Sequence, residues 1–62
     1  MTPTPAAIAA AKRFLEIEEM HNVTHKGRWA MFAAALTKHK VDEWEVEDAL
    51  EWLEDEAAML EL

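Results

Sequence analysis

Sixty-two residues form one small domain, and a chain this short buries only ~60% of its unfolded surface. There is no cysteine to supply a disulfide, so stability must come from very regular packing, a metal or self-association. The net charge of −7 disfavours nucleic acid and anionic membrane surfaces, which both need a basic footprint.

The charge is divided unevenly along the chain. Residues 1–41 carry six basic side chains (Lys12, Arg13, Lys26, Arg28, Lys38, Lys40) against Glu16, Glu18 and Glu19, a balance of +3. Residues 42–62 carry ten acids and no base. The two parts can attract each other, within one chain or between chains. The apolar run Ala6 to Ala11 is too short for a signal peptide, and no segment approaches a membrane span. A cytoplasmic location is expected.

Twelve alanines, with abundant leucine, glutamate and methionine and a single glycine, give the composition of a helical protein. Thr2-Pro3-Thr4-Pro5 is an extended lead-in. Thr4 suits an N-cap and Pro5 the first helical position. The first helix is expected over 5–21, with an apolar arc of Ala7, Ala10, Ala11, Phe14, Ile17 and His21, widened by Ile8 and Leu15. Lys12 and Glu16 form a spaced pair on its wet side.

Asn22-Val23-Thr24 reads as a turn: Asn22 tolerates a left-handed conformation and Thr24 can cap the next helix. The second helix is expected over 25–39, with a stripe of His25, Trp29, Phe32, Ala35, Leu36 and His39. Gly27 weakens its first turn. The third helix, over 43–61, has the clearest start. Asp42 and Glu45 form a capping-box variant, and Val41 can staple onto Val46. Its stripe reads Val46, Ala49, Leu50, Leu53, Ala57, Leu60. Together these predict an all-α fold: a single three-helix domain over 1–62, a helical hairpin with an acidic C-terminal helix docked on it, able to form a homodimer. Phe14, Ile17, Trp29, Phe32, Leu36, Leu50 and Leu53 should be mostly buried.

The usual equipment for catalysis is missing. There is no serine, cysteine or glycine-rich phosphate loop, and the carboxylates occupy similar solvated positions rather than two contrasting environments. No catalytic residue, cofactor or metal is expected. His25 and His39 share a stripe but stand some 21 Å apart at ~1.5 Å per residue, and His21 and His25 straddle a turn. These histidines read as helix-end residues. Residues 35–52 have the outline of a helix-turn-helix, but Glu43, Glu47, Asp48 and Glu51 would repel phosphates.

The far face of the third helix carries the functional signal. Advancing ~100° per residue from Val46 places Trp44, Trp52 and Met59 opposite the core stripe, among Asp48, Glu51 and Asp55. Two indoles and a thioether ringed by charge have the composition of an interaction hot spot. Glu43/Glu47, Glu47/Glu51 and Glu51/Asp55 repel at spacing four, and the acids near the C-terminus oppose the helix dipole, so helix stability alone does not explain them. The expected function is a small acidic adaptor or inhibitor that docks Trp44, Asp48, Glu51, Trp52, Asp55 and Met59 on a basic protein surface. That surface can belong to a nucleic-acid-binding protein engaged by mimicry. The alternative is a structural homo-oligomer whose Trp-bearing face is a subunit interface. Neither reading involves direct contact with nucleic acid or membrane.

Overall fold

A computed structural model describes residues 2–60, with side chains to residue 59. It is all-α, with α1 at Pro5–Glu18, α2 at His25–His39 and α3 at Glu43–Leu60, and no strand among the described residues.

Two threonines start the first two helices. The Thr4 hydroxyl accepts the Ala7 amide at 3.2 Å while Thr4 itself stays extended, and Pro5 takes the first helical position. Thr24 repeats the device, accepting from the Gly27 amide at 3.0 Å. Gly27 is small for a steric reason. A Cβ there would stand 2.8 Å from Val23 Cγ1 and 3.2 Å from the capping Thr24 Oγ1. At the start of α3, the Asp42 carbonyl accepts from Glu45 at 3.1 Å and from Val46 at 3.2 Å.

The apolar arc predicts that α1 continues to His21, but the helix stops at Glu18. Its last turn tightens: the Glu19 amide is shared between the carbonyls of Leu15 (3.3 Å) and Glu16 (3.2 Å), and Met20 donates to Ile17 at 3.2 Å. The Arg28 guanidinium then donates to the Met20 carbonyl, fastening the end of α1 to the beginning of α2. Arg28 Nε is buried without a hydrogen-bond partner. Asn22 does not take the left-handed conformation expected of it. The one positive φ among the described residues belongs to Lys40.

Lys40, at φ 56° and ψ 45°, closes α2. The Val41 amide reaches the Leu36 carbonyl at 3.1 Å and the Lys40 amide reaches Thr37 at 3.3 Å, the paired bonds of a Schellman turn. Val41 and Leu36 both pack against the core, supplying the apolar contact that accompanies that turn. A side chain in this conformation costs ~1–2 kcal/mol, part of which glycine returns as extra freedom in the unfolded chain. Lys40→Gly should therefore stabilise the fold by ~0.5–1 kcal/mol. Urea unfolding should show a higher midpoint with an unchanged slope; a lower midpoint would mean that the lysine side chain contributes a contact of its own.

Packing is organised around α1, which lies against both α2 and α3, while α2 and α3 barely touch. The outcome is a slab with extents of 36 × 25 × 14 Å. The core is built mainly of small side chains: Ala7, Ala10, Ala11, Ile17, Phe32, Val46 and Ala49, with Ala35 also buried. Alanines let the helices approach closely but bury little area each. Phe14, Leu36, Leu50 and Leu53 pack around this cluster half-buried.

Trp29 departs most from expectation, with 51% of its surface exposed. It meets Phe32 edge to face at 5.9 Å, and its indole N–H donates to His25 Nε2 at 2.9 Å. Because α3 does not reach across to α2, nothing covers its outer side. Ala57, expected on the core stripe, is also exposed, at a hollow it shares with Phe14, Leu15 and Glu18. The Leu60 side chain and Glu61, which complete the expected stripe and helix, lie outside the described residues. Glu16 pairs with Arg13 at 3.0 Å rather than with Lys12.

Candidate protein-docking groove

Val46 and Ala49 turn the inner face of α3 into the core, and this fixes what the rest of the helix presents. On its outer side the extended lead-in runs back along the helix. Thr2, Pro3, Thr4 and Ala7 form one wall of an open groove of about 610 Å³, and Trp44, Glu45, Asp48, Glu51, Trp52 and Asp55 form the other. Five of the six residues singled out from the sequence therefore share one concavity. The sixth, Met59, stands outside it, 70% exposed.

The two indoles differ in environment. Trp44 is 62% exposed, whereas Trp52 is half-buried beside the lead-in. Exposed indole surface is unfavourable in water at ~25 cal/mol per Å² of apolar area and is largely relieved when a partner covers it. Sequence patterning does not single out Glu45 or the lead-in as part of this site. The sequence pattern assigns Glu45 to a capping box with Asp42, whereas among the described residues only the Asp42 backbone carbonyl bonds the first turn and Glu45 lines the groove instead. For Thr2 to Thr4 there is no sequence signal, because a segment preceding a helix is steered only by what the helix packs against.

Glu45, Asp48, Glu51 and Asp55 give the groove four carboxylates, and no basic residue lines it. The ion pair among the described residues is Arg13 with Glu16, inside α1, so the described acids of α3 have no cationic partner among those residues. Such a surface can accept hydrogen bonds from guanidinium or ammonium groups and offer indole faces to the same cations. Among the described residues no three acidic or histidine side chains converge as a metal site, and no helix is long and apolar enough to cross a membrane.

No family model, curated protein or solved structure matches the chain.

Proposed function

We propose that the protein is a small acidic docking module whose groove between the lead-in and α3 receives a basic segment of another protein. The observation that carries this reading is the collection of two indoles and four carboxylates in one concavity, with no basic side chain and no ion pair there among the described residues. Trp44 and Trp52 act as apolar platforms, and Asp48, Glu51 and Asp55 select and orient the partner's charges. Met59, further along α3, extends the contact surface for a longer partner. Arginine is preferred over lysine, since its planar guanidinium stacks on an indole while bonding a carboxylate in the same pose. A partner whose basic surface normally receives phosphates would find carboxylates in their place, which makes inhibition by nucleic-acid mimicry the sharpest form of the proposal.

A labelled oligo-arginine peptide tests it by fluorescence titration at low and moderate salt. Binding should be tighter than for oligo-lysine of equal length and should weaken as salt rises. Trp44→Ala should reduce affinity about tenfold or more, with unchanged helical circular dichroism, because Trp44 is mostly exposed. Trp52→Ala should act in the same direction with some loss of stability, given its half-buried position. Equal affinity for the two peptides, or indifference to Trp44→Ala, would reduce the groove to non-specific charge attraction and remove the proposal.

A further inference from the structure

A hollow of about 310 Å³ lies between α1 and α2, lined by Arg13, Met31, Ala34, Ala35, Lys38 and His39. It shares no residue with the acidic groove and has the opposite character. Ala35 is buried and Met31 half-buried, so its base is apolar, while Lys38 is exposed at its edge. Among the described residues no acid lines it. Five of its six lining residues come from residues 20–41, a stretch with Lys26, Arg28, Lys38 and Lys40 and no acid. Arg13 donates to Glu16 at 3.0 Å, yet its side chain is 40% exposed and its guanidinium carries further N–H donors.

An apolar base edged with cations suits an aromatic ring whose neighbours are acidic. The ring's face attracts a guanidinium or ammonium group, and its edge packs well against a thioether such as Met31. A small free anion fits less well, because Lys38 and His39 belong to the last turn of α2, where the helix carbonyls oppose negative charge. An indole brings no charge into the hollow. The chain itself carries a ring of this kind. Trp44 is 62% exposed in the first turn of α3, with Glu45 beside it and Asp48 one turn further on, all three lining the groove. Within one chain this indole lies against the lead-in rather than the hollow, and α2 and α3 barely touch.

We infer, on the basis of the groove's proposed role as a receptor for cations, that its basic partner is a second copy of this chain, whose hollow between α1 and α2 receives Trp44. Arg13 and Lys38 of the receiving copy meet the indole face and the carboxylates of Glu45 and Asp48 that flank it. The contact joins two different surfaces, so each copy has one of each to offer and association can continue through successive copies. The net charge of −7 on each chain opposes the encounter. That repulsion is screened beyond ~8–10 Å at about 0.1–0.15 M salt. The contacts of the indole with the cations act within ~6 Å, so they survive under the same conditions.

Sedimentation of the full chain from micromolar to millimolar concentration, at about 0.1 M salt, tests the inference. The average mass should rise with concentration above that of the single chain and fall again in higher salt or with added oligo-arginine. Trp44→Ala removes the indole, and Ala34→Glu places a carboxylate in the hollow. Each alone should be monomeric with unchanged helical circular dichroism, since both positions are exposed. Lys38→Glu, also at an exposed position, should act as Ala34→Glu does. Trp44→Ala and Ala34→Glu mixed in equal amounts should associate again, because the first keeps its hollow and the second its indole. A parent chain that stays monomeric throughout, a Trp44→Ala chain that associates like the parent, or a mixture that stays monomeric would each overturn the inference. Oligo-arginine titrated into the Ala34→Glu chain separates this outcome from that of the groove, because the two surfaces have no residue in common. Binding there beside a monomeric parent leaves the groove its function and excludes only a second copy as its partner. No binding and no association would remove both.

Discussion

Phe32→Ala should leave the chain largely unfolded at room temperature. Phe32 is the one aromatic side chain fully within the core, and its ring meets Phe14 at 5.1 Å and Trp29 at 5.9 Å. It therefore joins α1 to α2 and also supports the indole beside it. Truncating a buried phenylalanine costs ~3–5 kcal/mol, while a single small core rarely supplies more than ~3–5 kcal/mol in total. The alanines around Phe32 cannot collapse into the space, because they have no further atoms to move. Circular dichroism should show most of the helical signal lost and no cooperative thermal transition. A variant that melted cooperatively within a few degrees of the parent would show that the hairpin is held by something other than this aromatic cluster.

Ala49→Leu should also destabilise the fold, for the opposite reason. Ala49 has no exposed surface and belongs to the same core cluster as Ala7, Ala10 and Ala11, so α1 and α3 are close because these positions are small. Three further carbon atoms there must push α3 away from α1 or force a side chain off its rotamer, at ~1–3 kcal/mol. Leucine is at least as hydrophobic as alanine and almost as good a helix former, so neither transfer energy nor propensity predicts the loss. The measurement is the urea midpoint together with tryptophan emission, since displacement of α3 moves both Trp44 and Trp52. A midpoint equal to or above that of the parent would mean that the interface between α1 and α3 has slack.

These substitutions also mark how far the chain can be read without its fold. The three helices are legible because apolar residues recur every three or four positions, and the Thr4 and Thr24 caps because capping chemistry is local. The end of α1 is not legible, since it depends on Arg28 arriving from eight residues beyond Met20. Trp29 misleads because periodicity identifies the apolar side of a helix but not whether another helix lies there. The left-handed turn falls on Lys40 rather than Asn22 for a similar reason: Val41 and Leu36 both have to reach the core, and the chain reverses where that demand places it. The indoles and carboxylates of the groove can be grouped from the helical wheel of α3. Their opposing wall cannot, because Thr2 to Thr4 take their place only from how α1 and α3 cross.

The central position of α1 also shapes how the molecule comes apart. Since α2 and α3 hold to α1 and scarcely to each other, the architecture is two adjoining contacts on a common rod rather than a closed triangle. Losing α3 exposes the alanine side of α1 but leaves the Phe14–Phe32 contact and the Arg28 fastening untouched. Partial opening thus has a lower-energy route than global unfolding, and amide protons of α3 can exchange with solvent while those of α1 and α2 stay protected. The helix that carries the indoles and carboxylates is then the element most easily released, so a partner that grips it firmly would also set how long the whole chain remains folded.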